Sequence, residues 1–348
     1  MERVQAVNDS GPTDQEFKPG ERPTLKTISR LTGLAVATVS RALNDAPDIS
    51  EQTKRRVRDM SDRVGYRPNR AGVRLRTGKT NVISLVMSTD QDMMNHTARL
   101  ITSIVAELHN TPYHMIMTPY FSGRDPMDPV RYIVETGSAD AIILNQIEPQ
   151  DPRVAYLMGR GFPFATHGRT DWAEDHAYFD FDNSAFARLA IKAFVARGRR
   201  NVLVVLPPQT QSYSMAIRVG ALACAAETGL DITILPDLSS DDPGATIEAV
   251  LTPYLAQHPA TDAILVSSPA ACMAAVAAAE NLGRVPGQDI DFSAKEAIPF
   301  LKRFRKPILT VYEDVSHAGK FLANATIRRI ADPEAAPMQF LDVPENIL

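Results

Sequence analysis

From Asn81 to the C-terminus the chain alternates short apolar runs with amphipathic helical stretches, and this limits its fold more than any other feature. Val82–Met87, Tyr113–Met117, Ala141–Leu144, Val202–Leu206, Ile232–Leu235, Ala263–Val266 and Ile308–Val311 have strand length. Between them, Asn183–Ala196, Met215–Thr228 and Ala270–Asn281 have helical spacing. A helix between consecutive strands is the long connection that parallel pairing requires, so the pattern predicts an α/β fold with helices on both sheet faces. Residues 81–348 are too many for one such sheet, and two lobes follow, although no internal repeat is visible.

The segment before Asn81 has a different character. Thr24 is placed to cap a helix over Leu25–Thr32, and Gly33 supplies a tight turn. A second short helix, Val36–Leu43, has Val39, Ala42 and Leu43 on one side, and Ser29 is small where the two cross. A third begins after Ser50 and repeats Val57, Met60 and Val64, with Lys54, Arg55, Arg56 and Arg58 on its other face. Two short helices about a glycine turn describe a helix-turn-helix. From Thr24 to Thr80 there are thirteen Lys/Arg against five Asp/Glu, a net of +8 within a chain of net −4, so the remainder is net −12. A basic head on an acidic body suits a phosphate-binding module joined to a domain that does not touch nucleic acid.

The run Leu25–Arg76 resembles the head of the lactose/galactose repressor family. The match rests on Thr38-Val39-Ser40-Arg41-Ala42-Leu43-Asn44, on Ile49-Ser50 with Thr53, Arg56 and Val57, on Gly65-Tyr66-Arg67-Pro68-Asn69, and on Leu75-Arg76. The resemblance implies that the second helix enters the major groove, with Val36 and Ala37 at base-reading positions and Arg41 as a further base contact. Val36 and Ala37 offer only apolar contact, whereas Arg41 can hold a guanine bidentately. Thr38 and Ser40 suit phosphates, and Asn44, Tyr66 and Asn69 complete the implied DNA-facing set. Residues 68–80 correspond to a hinge helix, in which Leu75 is the implied minor-groove wedge and Arg76 its basic neighbour. Gly72-Val73 departs from the Ala-Arg pair common there, and the glycine costs about 1 kcal/mol of helix propensity.

Through the core the resemblance continues on Phe162-Pro163-Phe164, Gly168-Arg169, Asp182-Asn183 with Ala187, Ala190 and Gly198-Arg199-Arg200, and Pro307 to Asp314. It implies a type I periplasmic-binding-protein core: two Rossmann-like lobes joined by three crossing strands, with ligand between them. Ligands of such sheets sit beyond the carboxyl ends of strands. The implied ligand set is Asp90, Asn95, Glu148, Asp151, Arg169, Asp182, Arg218, Ser268, Glu296 and Glu313. Trp172 is added as a sugar-stacking ring, its alternative being a half-buried surface indole. Three departures mark a rebuilt pocket: Ile217, not Arg218, stands three residues before Gly220; Ser268-Pro269 replaces Asn-Asp after a strand; and Ala294-Lys295-Glu296-Ala297 replaces a Gly-Tyr-Asp-Asp turn. Carboxylates beside an arginine suit sugar hydroxyls, which both donate and accept. The acidic Glu148–Asp151 loop suggests an α-glucoside.

Catalytic signatures (GxSxG, a P-loop, HExxH) are absent, and the seven histidines have no metal-ligand spacing, although His96 and His167 are placed to line the cleft. No enzyme activity, metal or cofactor is expected. Cys224 and Cys272, in Ala-rich helical segments, read as reduced core thiols of a cytoplasmic protein. Residues 1–22 read as a flexible tail without a secretory signal, and no apolar run reaches membrane-spanning length. The organisation expected is thus a tail (1–22), a head (23–67), a hinge (68–80) and a core (81–348). The implied protein is a homodimeric repressor of a carbohydrate operon, holding a pseudo-palindromic double-stranded operator until a sugar releases it. A Pro-rich C-terminus without a leucine heptad favours dimer over tetramer. The competing readings are a purine- or nucleoside-responsive regulator of the same architecture, a sugar-binding transport protein, and a sugar-processing enzyme.

Overall fold

The computed structural model describes residues 22–67, 72, 74, 78–88, 96–121, 123–304 and 307–347. The chain divides into two compact units, one ending at Thr80 and the other beginning at Asn81.

The first unit contains α1 (Leu25–Thr32), α2 (Val36–Leu43) and α3 (Glu51–Arg63). Thr24 and Thr27 cap α1 reciprocally, each side-chain oxygen accepting the other's backbone N–H. Gly33 closes the helix at φ +68°, a conformation only glycine adopts at little cost. Ser50 caps α3 by accepting the Thr53 N–H. Ile28, Val39, Ala42 and Val57 are fully buried and form the small core where the three helices meet. Not all the basic residues of α3 face solvent. Lys54 is buried and pairs with Glu51 and Asp45, Arg56 donates to the Thr32 carbonyl, and Arg58 pairs with Asp45. Part of the positive charge therefore holds the head together.

In the second unit every paired strand is parallel. The first lobe holds β1 (Val82–Ser88), α4 (His96–Leu108), β2 (His114–Tyr120), α5 (Met127–Thr136), β3 (Ala141–Leu144), α6 (Pro152–Gly159), β4 (Phe164–His167) and β5 (Ala177–Phe181). The second holds α7 (Asn183–Ala196), β6 (Asn201–Val205), α8 (Ser212–Thr228), β7 (Asp231–Ile234), α9 (Gly244–Gln257), β8 (Ala263–Val266), α10 (Pro269–Glu280), β9 (Asp291–Glu296), α11 (Leu301–Phe304) and β10 (Leu309–Tyr312). Then α12 (Val315–Ala331) and β11 (Gln339–Asp342) return to the first lobe. Strand order is β11-β5-β4-β3-β1-β2 in one sheet and β10-β9-β8-β6-β7 in the other, so both wind alike about their first strand.

Period-two alternation explains how each sheet is covered. In the second, Leu203, Val205, Ile264 and Val266 pack under α9 and α10, while Val202, Val204, Ala263 and Leu265 pack under α7 and α8. Gly220 of α8 touches α7 so closely that a Cβ there would collide with the Ser184 backbone carbonyl. The chain crosses between lobes after β5, after β10 and again after β11, where Ile347 packs against the second-lobe core. Cys224 and Cys272 are buried free thiols, and burial pushes Cys272 up to about 12. No helix among the described residues is long and apolar enough to cross a membrane.

Most expected strands lie within a few residues of those observed, but β4, β5, β9 and β11 were not anticipated, and residues 294–296 end a strand rather than form a turn. The polar sequence of β9, Asp-Phe-Ser-Ala-Lys-Glu, hides it. Its Asp291 is buried only because Arg197 and Arg199 bind both carboxylate oxygens, at 2.9 and 2.6 Å.

Candidate functional site

Two surfaces concentrate polar groups. On the head, Val36, Ala37, Arg41 and Asn44 are exposed on α2 or at its C-terminal cap, away from the buried Val39 and Ala42; Thr38 and Ser40 are half-buried. Arg41 forms an ion pair with Asp48, and Asn44 donates to the Ser40 carbonyl at 2.5 Å. Tyr66 packs against the head core, and burial raises its phenol pKa. Asn69, Leu75 and Arg76 lie outside the described residues.

The second surface is a cavity of about 1120 Å³, including its open mouth, between the lobes of the core. Carboxyl ends of strands from both lobes supply much of its wall. Asn145–Ile147 follow β3, His167–Gly168 span the end of β4, and Asp180–Phe181 end β5. Ser267–Ser268 follow β8, Glu296 ends β9 and Glu313 follows β10. The first turn of α8 adds Ser212 and Tyr213. A backbone bond, Ser212 N–H to the Ile147 carbonyl at 2.8 Å, joins the lobes beside the cavity.

Glu313 is the hub of the polar wall. It is buried; its Oε1 lies 3.0 Å from His96 Nε2 and 3.9 Å from His167 Nε2, and its Oε2 lies 2.9 Å from Lys295 Nζ. Lys295 also donates to Asn183 Oδ1 at 3.0 Å and lies 5.2 and 5.5 Å from the Phe181 and Tyr213 ring centres. Burial alone would raise the Glu313 carboxyl, but Lys295 and the hydrogen-bonded His96 hold it well below the usual range. His96 and His167 stack with centroids 5.4 Å apart. The ligand atoms of His96, His167 and Glu313 fall within 4.8 Å of one another, a constellation that linear spacing does not reveal. Lys295 already supplies a positive charge to that carboxylate.

Burial, and then the neighbouring His96, lower the His167 imidazole to about 3. The unfolded chain takes up that proton near pH 6.5, so stability is complete above this value and is lost as pH falls toward 3. Between pH 7 and pH 5 the loss from this group is expected to be about 2 kcal/mol. Chemical denaturation of the wild type and His167→Gln across this range should show a shallower acid decline in the variant; parallel curves would contradict the assignment.

Of the anticipated ligand residues, Ser268, Glu296 and Glu313 line the cavity. Arg169 lies behind the wall and pairs with the lining Asp180 at 2.6 Å. Burial pushes Asp180 up to about 6 despite that arginine. Five other residues do not line the cavity. Asp151 caps α6 and is buried in an ion pair with Arg153, and its Oδ2 accepts the Glu148 N–H. Asp182 caps α7. Trp172 packs half-buried against the α5–α6 side of the first lobe. Arg218 is exposed on α8 because the helical phase gives the buried position to Ile217. Asp90 and Asn95 lie outside the described residues. Sequence reasoning passed over Asn145, Asp180, Tyr213, Asp241, Asp242 and Lys295. Asp180 and Lys295 belong to strands that were not recognised, and Tyr213 precedes the expected helix start.

Asn145 Oδ1 and Ser212 Oγ are buried in the cavity wall without a hydrogen-bond partner among the described residues. Gln146 beside them has a positive φ of +54°, a conformation that non-glycine residues rarely hold outside constrained sites. The wall is thus prepared for a ligand rich in hydroxyls.

Residues 24–69 match the family described as bacterial regulatory proteins, lacI family. Residues 100–334 match periplasmic binding proteins and sugar binding domain of LacI family. The chain is 29% identical over 328 residues to the HTH-type transcriptional regulator AglR of Rhizobium meliloti (strain 1021), covering 91% of this chain and 90% of AglR. It is 33% identical over 214 residues to RafR of Escherichia coli, covering 61% and 63%. Among solved structures, the transcriptional regulator CelR–cellobiose complex superposes with a TM-score of 0.69 at 20% identity, covering 94% of this chain and 98% of that one. The lac repressor dimer bound to operator and the anti-inducer ONPF gives 0.80 at 16% identity, with the same coverage. With the second family match spanning more than half its length, the chain belongs to the LacI family of bacterial regulatory proteins, DNA-binding transcriptional regulators with a sugar-binding domain.

Proposed function

We propose that this chain is a cytoplasmic, non-catalytic repressor of a carbohydrate operon. It binds a pseudo-palindromic operator as a homodimer and leaves it when a sugar of disaccharide size occupies the interlobe cavity. The observation that carries the ligand reading is the cavity wall, where carboxylates stand beside the unpartnered oxygens of Asn145 and Ser212. The solved complex of CelR with cellobiose supports the same ligand class. Because Glu148 and Asp151 stand off the cavity, they supply no reason to prefer an α-glucoside.

On the operator, Val36 and Ala37 contact base edges apolarly and Arg41 reads a guanine, exchanging Asp48 for the base. Thr38 and Ser40 hold phosphates, with Asn44, Tyr66 and Asn69 around them. Leu75 wedges the central step with Arg76 beside it. Sugar acts only through its different affinity for the DNA-competent and released arrangements of the core.

The test is fluorescence anisotropy with a palindromic operator library, at two salt concentrations and with a sugar panel. Sequence-selective binding that one sugar reverses supports the reading; binding indifferent to sequence overturns it. In the same assay Arg41→Ala is expected to weaken the preferred operator by about tenfold to a hundredfold and to flatten preference at one base pair. An equal loss on all sequences would make Arg41 a phosphate contact.

A further inference from the structure

The cavity wall has a charge imbalance that bears on which sugars it admits. Among the described residues five carboxylates line it, those of Asp180, Asp241, Asp242, Glu296 and Glu313, against one lysine, Lys295, no arginine, and the imidazoles of His96 and His167. Lys295 is committed to Glu313, and Arg169 reaches Asp180 from behind the wall. Asp242 and Glu296 form no ion pair among the described residues. Asp242 Oδ2 accepts the Ser239 N–H at 2.8 Å, and Glu296 Oε2 accepts the Phe300 and Leu301 N–H groups at 2.9 Å each. Burial makes the imbalance more costly, since Glu296 is only 4% exposed and water screens its charge poorly.

The opposing influence is that of the helix N-termini near the cavity. Helices α4, α7, α8 and α10 begin at its lining residues His96, Asn183, Ser212 and Pro269, and their N-termini each carry roughly half a positive charge that would favour an anion. At α7 and α10, however, Asp182 Oδ1 and Ser268 Oγ already accept the Ala185 and Ala271 N–H groups, and at α8 the Ser212 N–H is given to the Ile147 carbonyl. The half-charges left at these partly satisfied helix ends do not outweigh two full carboxylates that form no ion pair among the described residues.

We infer that the effector is an uncharged or cationic glycoside, and that sugars bearing a carboxylate or phosphate are rejected by Asp242 and Glu296. This rests on the proposal above that the cavity binds a sugar. Neutral hydroxyls donate to these carboxylates and accept from neighbouring donors, whereas an added anion meets, among the described residues, only a lysine already paired with Glu313, and faces like charge.

The experiment is calorimetric titration of the full chain with maltose, cellobiose and melibiose. The sugar that binds is then compared with two close analogues, one with a hydroxymethyl oxidised to a carboxylate and one with a hydroxyl replaced by an amine. The expected order is neutral and amino forms within about tenfold of each other, and the acid at least about a hundredfold weaker. In Asp242→Asn/Glu296→Gln, which keeps oxygens for the backbone N–H groups, the penalty on the acid should shrink about tenfold. An acid that binds as well as the neutral sugar overturns the inference while leaving the sugar reading intact. Equal losses for acid and amine, or an unchanged penalty in the double variant, assign rejection to shape and also overturn it. If neither a neutral nor a charged sugar binds, the sugar reading falls and the inference with it.

Discussion

Glu313→Ala is expected to lower the unfolding free energy by about 3–5 kcal/mol and to abolish the response of operator binding to sugar. The carboxylate is buried and holds Lys295 on one oxygen and His96 on the other. Its removal leaves the Lys295 ammonium, 13% exposed, against Phe181, Tyr213 and Asn183 without its hydrogen-bonded counter-charge. Removing one partner of a buried pair costs more than removing both, so Lys295→Met/Glu313→Leu should recover much of the stability. The response should not return, because Glu313 follows the crossing strand and binds both lobes. Thermal unfolding of the three proteins, paired with anisotropy at saturating sugar, tests both parts. A stable Glu313→Ala protein that still responds would remove Glu313 from the mechanism.

Asp151→Ala should be about as costly, roughly 3–5 kcal/mol, for a related reason. Arg153 is 3% exposed, and its guanidinium binds both Asp151 oxygens, at 3.0 and 2.6 Å. It also donates to the Asn145 and Gln146 carbonyls at 3.3 and 2.7 Å. The pair thereby fixes the loop carrying Asn145 and the strained Gln146 into the cavity wall. Sugar affinity should fall although Asp151 lies off the cavity. Asp151→Asn keeps the α6 cap and loses the charge, so it separates the two contributions. Denaturant melts and calorimetry should place Asn between the wild type and Ala; Ala matching the wild type in both would refute the role.

The head was legible because its determinants are local. Thr24, Gly33, Ser50 and the spacing of Ile28, Val39 and Val57 are read within a turn or two of helix, and the observed α1 and α2 keep the expected limits. The cavity was not legible in this way. His96 and Glu313 are 217 residues apart, and only the return of α12 to the first lobe brings them together. Lys295 occurs in a strand disguised by its polar residues, which face a cavity or a buried partner rather than apolar core, and Asp180 is the single charged residue of the short aromatic β5. Family resemblance located the loops, but Asp151 and Asp182 show that an acidic residue after a strand is as readily a helix cap as a ligand contact.

The bond between Ser212 N–H and the Ile147 carbonyl is made of main chain alone. Apart from a proline at 212, side-chain replacement leaves its donor and acceptor in place. The closure of the two lobes is therefore partly insulated from changes in the residues that recognise the ligand. A descendant of this protein could exchange Asp242, Glu296 or Tyr213 and acquire a different taste in sugars while retaining the same mechanical joint. Repertoire can drift here without the moving part having to be reinvented.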